Sequence, residues 1–138
     1  MAIENPTRAE IKNILRKNKR IAVVGLSDKP YRASYGVSKA MKEAGYEIVP
    51  VNPNIDEVFG IKAVDSLKDV SGHVDIVDVF RRSEFLPGLA KETVEIGADV
   101  FWGQLGVFEE ETFDYLKQNG VTVVMDRCIK VEHSLTRD

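Results

Sequence analysis

Residues 21–44, IAVVGLSDKPYRASYGVSKAMKEA, constrain this chain more than any other stretch. The apolar run Ile21-Ala22-Val23-Val24 breaks at Gly25, a loop of small, basic and hydroxyl residues follows, and a helical pattern begins near Ser34. Strand, glycine turn and helix in that order open a nucleotide-binding unit, because the helix start presents unpaired backbone N–H groups and a positive dipole to a phosphate. The details depart from the dinucleotide fingerprint. Gly25 can be its first glycine, but Ser27 stands in place of the second and Pro30 in place of the third. The loop is also long and carries Lys29 and Arg32. These residues point to a phosphate-rich nucleotide other than NAD.

Around this unit the chain alternates short apolar runs with longer amphipathic ones. An N-terminal helix is expected at about 7–18, with Thr7 as N-cap, Glu10 completing a capping box, and Ile11, Ile14 and Leu15 on one face. Its charged end, Lys17-Asn18-Lys19-Arg20, suits a solvated helix C-terminus. Strands are predicted over 21–24, 47–51, 74–80, 99–102 and 121–125, and further helices over 34–44, 85–97 and 109–119. Gly45, Gly97 and Gly120 close those three helices. Residues 57–67 read as a small extended piece and a turn at the sheet edge. The class is α/β: a single domain over 1–138, with the five strands in a parallel sheet covered by helices on both faces. Right-handed crossovers then bring every strand's C-terminal end to one edge, where ligands bind.

Composition narrows the partners. With 19 Lys and Arg against 22 Asp and Glu, a net charge of −3 argues against nucleic acid and against anionic membranes, so any anion site must concentrate its cations locally. A lone cysteine, Cys128, no apolar leader and no run of bilayer length lead to the expectation of a cytoplasmic protein. At the expected binding edge the rims are 25–34, Asn52-Pro53-Asn54, Phe80-Arg81-Arg82, Trp102-Gly103-Gln104 and Asp126-Arg127-Cys128, and most of their charge is positive. Arg32 and Arg81 are either phosphate ligands or solvated loop residues. Ser27 and Ser34 offer hydroxyls, and Gly36 leaves the first helical turn open. Asn52-Pro53-Asn54 is either a simple turn or a surface for an adenine or ribose.

The end of the second strand argues against NAD, since Val51-Asn52-Pro53 holds no carboxylate for the ribose hydroxyls. Catalytic equipment is scarce. His73 and His133 have no sequence partner for a triad, and Asp75, Asp78 and Asp126 make no metal motif, so neither catalytic residue nor metal is assigned. Cys128 is either a small buried hydrophobe or, beside Arg127, a thiol open to disulfide exchange.

Taken together, GLSDKPYRASYGVSKAM, PVNPN, VDVFRR, GADVFWGQLG and VVMDRC resemble the small, stand-alone CoA-binding proteins with a Rossmann-type domain. The same stretch is similar to the N-terminal CoA-binding domain of the succinyl-CoA synthetase α subunit and of NDP-forming acyl-CoA synthetases. The resemblance implies coenzyme A or an acyl-CoA bound across the C-terminal edge. It matches the synthetases' CoA contacts to 25–34, Asn52-Pro53 and Trp102-Gly103-Gln104, and with the rim residues above the expected cofactor-binding set is Gly25, Leu26, Ser27, Lys29, Arg32, Ser34, Gly36, Val37, Asn52, Pro53, Phe80, Arg81, Trp102, Gly103 and Gln104. The synthetases' phosphohistidine and ATP-grasp parts have no counterpart here, so synthetase activity does not carry over. A carrier, sensor or regulator without chemistry of its own is the expectation. The alternative is a nicotinamide-dependent oxidoreductase or one subunit of a split acyl-CoA ligase.

Overall fold

Thr7 begins the first helix as its residue type demands. Its hydroxyl accepts the Glu10 N–H at 3.2 Å while the Glu10 carboxylate accepts the Thr7 N–H at 2.8 Å, a complete capping box for α1, Arg8–Lys17. In this computed structural model, which describes residues 3–137, the chain then enters β1, Arg20–Val24. There follow α2, Ala33–Glu43; β2, Glu47–Val51; the short strands β3, Glu57–Val58, and β4, Ile61–Lys62; and β5, Ile76–Val79. The chain closes with α3, Leu86–Glu95; β6, Val100–Gly103; α4, Glu110–Gln118; β7, Thr122–Val124; and α5, Ile129–Thr136.

The main sheet is parallel, with strand order β2-β1-β5-β6-β7. After β1 the chain goes outward to β2 and then returns to the other side of β1. This reversal puts the topological switch point between β1 and β5, where their C-terminal ends leave a crevice. Strand alternation sorts the apolar residues into two layers. Ile21, Val23, Ile76, Val100, Trp102 and Val124 pack under α1, α2 and α5, through Ile11, Leu15, Met41 and Ile129. Ala22, Val24, Val77, Val79, Phe101 and Val123 pack under α3 and α4, through Leu86, Ala90, Phe113 and Leu116.

The expected elements all form, with ends shifted by a residue or two. The 57–67 stretch is a β3–β4 hairpin that runs back along β2 through a parallel bridge between Val51 and Val64. One element was not foreseen. Helix α5 buries Ile129, Glu132 and Thr136, so two of its three inward positions are polar and no apolar stripe announces it. Glu132 has a tertiary partner in Arg8 of α1 at 3.9 Å, while the Thr136 hydroxyl donates within its own helix to the Glu132 carbonyl at 2.7 Å.

Candidate functional site

Gly25 is the pivot of the crevice. Its φ of +86° is open to glycine, and an added Cβ would come 2.7 Å from the Phe80 carbonyl oxygen and 3.1 Å from Arg81 Cδ. Any side chain would therefore force apart the ends of β1 and β5. The Gly25 N–H donates to the Val51 carbonyl at 2.9 Å, which ties the loop to the end of β2 as well.

Beyond Gly25 the loop is held by its own polar groups. The Ser27 N–H donates to Ser34 Oγ and the Lys29 N–H to Ser27 Oγ, both at 3.0 Å. Each hydroxyl acts here as an acceptor and retains its proton for donation. Ser34, however, is only 6% exposed, so its part is chiefly to shape the loop. Asn52 is likewise engaged. Its Nδ2 donates to the Leu26 carbonyl at 3.0 Å and its Oδ1 accepts the Asn54 N–H at 2.9 Å, so the amide braces the two rims and keeps one N–H and one lone pair.

The N-terminus of α2 differs from that of α1. Arg32 occupies the N-cap position with no side-chain cap, and the first turn holds no acidic residue. A Cβ added at Gly36 would meet nothing within 4 Å. Glycine inside a helix costs about 1 kcal/mol relative to alanine, and no neighbour requires it at this position. An uncapped start with open space against its first turn suits an anion lying there.

Two adjoining clefts flank this point. One, of about 490 Å³, lies over the α2 start among Ser27, Lys29, Tyr31, Arg32, Ile55 and Phe80. The other, of about 460 Å³, shares Gly25, Asn52 and Asn54 with it and opens toward Pro53, Ser66, Arg81 and Glu92. The Arg81 guanidinium lies 4.1 Å from the centre of the Phe85 ring, and Arg32 lies 5.7 Å from that of Tyr31. Among the described residues neither arginine has a carboxylate partner. Lys29 lies 4.0 Å from Asp28, an exposed pair of little energetic weight.

Several residues of the expected set lie elsewhere. Trp102 has no exposed surface; it faces the α1–α2–α5 layer, and its indole N–H donates to the Arg127 carbonyl at 2.8 Å. Leu26 is equally enclosed, and Val37 is half-buried against the same layer. Gln104 is 4% exposed and turns inward to donate from Nε2 to Asp78 at 2.6 Å. Gly103 is packed against the Val107 carbonyl, which a Cβ would meet at 2.5 Å. The side chains of Trp102, Leu26 and Gln104 thus support the edge from beneath, because strand alternation and core packing claim them first. Conversely, Tyr31, Ile55 and Ser66 line the clefts without having been singled out. Ser66 arrives only through the hairpin that returns along β2, and Tyr31, 78% exposed, carries no motif beyond its place in the loop.

Asp78, in the middle of β5, is fully buried, and burial pushes its carboxyl up from 3.8 to about 7 despite the hydrogen bond from Gln104, which favours the charged form. At the opposite edge of the sheet, His73 Nε2 lies 2.7 Å from Asp99 and 3.5 Å from Asp75. These three groups bring donor atoms within 4.8 Å of one another, a clustering their spacing in sequence did not suggest. The hydrogen bond to Asp99 raises the His73 pKa. Burial lowers that of His133, which stands edge-on to Tyr46, and Arg137 and Lys19 add to the effect. Cys128 is half-buried at the N-cap of α5.

Comparison with known proteins agrees with this geometry. The model of the family described as the CoA binding domain matches residues 19–134. The chain belongs to that family. Within the CoA binding domain family, the uncharacterized protein YneT of Bacillus subtilis is 61% identical over 135 residues, which cover 98% of this chain and 100% of YneT. An ADP-forming acetate–CoA ligase of Methanocaldococcus jannaschii is 31% identical over 121 residues, 82% of this chain but only 17% of the ligase. A solved structure from Thermus thermophilus, cell-free ID.343, superposes with a TM-score of 0.91 at 36% identity, covering 96% of this chain and all of that one. This chain therefore matches a small part of a much longer ligase and the whole length of the smaller relatives.

Proposed function

We propose that this chain binds coenzyme A or an acyl-CoA in the two clefts at the ends of β1 and β2, and that it acts in the cytoplasm as a carrier, sensor or regulator without chemistry of its own. The observation that carries this reading is the start of α2. It is uncapped, it is open at Gly36, and Lys29 and Arg32 flank it beside a cleft of about 490 Å³. A diphosphate there caps the helix, and the arginines without carboxylate partners supply the charge a ribose phosphate needs. Asn52, rather than a carboxylate, follows the end of β2, which disfavours the ribose of NAD. The edge holds no nucleophile–base pair among its described residues, which supports binding over catalysis.

Calorimetric titration with CoA, dephospho-CoA, NAD and NADP at one ionic strength tests the proposal. CoA is expected to bind most tightly, with dephospho-CoA weaker by the loss of its phosphate contact. Equal or tighter binding of NAD overturns it.

A further inference from the structure

The same edge carries another cleft, of about 440 Å³, where β6 and β7 end. Ile3, Phe108 and Met125 give it an apolar lining. The lining is held in place from both sides. Asn5 grips the Met125 backbone twice, donating to its carbonyl at 2.8 Å and accepting its N–H at 2.9 Å. The loop bearing Phe108 is fixed by a hydrogen bond from the Phe108 N–H to Ser83 Oγ at 3.1 Å and one from the Gly106 N–H to the Asp126 carboxylate at 2.8 Å. Phe108 itself stays 49% exposed. Glu109, Glu110, Asp126 and Arg127 surround the mouth.

We infer that this cleft receives the acyl group of a CoA thioester, and that the acyl groups it favours are short and uncharged. The inference rests on the nucleotide reading above and names the part of the ligand that reading leaves open. Three facts bear on it. The cleft lies on the edge to which every strand delivers its C-terminal end, the same edge that holds the crevice at β1 and β5. Three strand intervals separate β1 from β7, about 14 Å at the usual parallel spacing, and an extended pantetheine arm leading away from a diphosphate at α2 reaches that far. The third fact is charge. Glu109 and Asp126 against the Arg127 guanidinium disfavour a terminal carboxylate such as that of a malonyl or succinyl group, while methylenes gain by burial against Ile3 and Phe108.

The test is calorimetric titration of the whole chain with CoA, acetyl-CoA, butyryl-CoA and succinyl-CoA, repeated on Phe108→Glu and Phe108→Ala. Wild type is expected to bind butyryl-CoA about fifteenfold more tightly than acetyl-CoA, the ratio for two more buried methylenes at about 0.8 kcal/mol each. Succinyl-CoA gains nothing over CoA. Phe108→Glu removes the butyryl advantage and leaves the CoA affinity within twofold, and Phe108→Ala reduces the advantage, with far-UV circular dichroism confirming both folds. Equal affinity of wild type for acetyl-CoA and butyryl-CoA overturns the acyl cleft while leaving the nucleotide site intact, as does a butyryl advantage that both variants retain. Tight binding of succinyl-CoA overturns the charge preference. Failure of every CoA species to bind overturns the nucleotide reading and the acyl cleft with it.

Discussion

Asp78→Asn tests the physics of the central strand most directly. Asp78 is fully buried on β5 between the neighbouring strands β1 and β6, and its one described side-chain partner is Gln104 Nε2 at 2.6 Å. Burial raises its pKa from 3.8 to about 7. A carboxyl whose folded value lies above its unfolded value binds more protons in the folded state. Its contribution to stability is complete below pH 3.8 and is lost as pH rises to about 7. At about 1.36 kcal/mol per pH unit the whole loss comes to about 4 kcal/mol, of which about 3 kcal/mol falls between pH 5 and pH 8. The asparagine amide has the shape of the protonated acid, also offers one acceptor to Gln104, and does not ionise. Urea unfolding of both proteins at pH 5 and pH 8 is the assay. Taking the difference between variant and wild type cancels the opposing contributions of His73, raised by Asp99, and His133, lowered by burial. The variant should gain about 3 kcal/mol on wild type over that interval, a relative midpoint shift of about 1.5 M for a urea slope near 2 kcal/mol/M. A constant difference between the two proteins from pH 5 to pH 8, or a variant less stable than wild type at pH 8, refutes the placement of a neutral acid in this strand.

Arg32→Ala should weaken CoA binding by about 1.5–3 kcal/mol, the range for a hydrogen bond to a charged group, with a smaller loss for dephospho-CoA; calorimetry with unchanged affinity for both ligands returns Arg32 to the role of a solvated loop residue. Gly36→Ala should raise the stability of the free protein by about 0.5–1 kcal/mol, since a methyl there meets nothing within 4 Å, while weakening CoA. Thermal unfolding and titration of the same sample decide the matter, and a gain in stability with undiminished affinity removes the ligand from the first turn of α2.

The residues alone determined the layering and most of the elements. Apolar runs of strand length at β1, β2 and β5, punctuated by glycines and separated by amphipathic helices, admit few arrangements other than a covered parallel sheet. The capping box at Thr7 and the stops at Gly45 and Gly120 were legible because they are local, a matter of backbone groups within a turn of the residue concerned. So was the glycine loop, since Gly25, Lys29 and Arg32 lie within one short segment. Tertiary structure decided the rest. Whether a rim side chain faces solvent or core depends on strand register and on what the covering helices supply, and no local pattern reveals that Trp102 and Gln104 turn inward. Helix α5 was hidden for a related reason, because Glu132 gains a partner for its inward-facing carboxylate only once α1 brings Arg8 alongside. The β6–β7 cleft joins Asn5 to Met125, residues 120 apart in sequence. Contacts of that kind exist only after the chain has closed, and they determine where a ligand can lie.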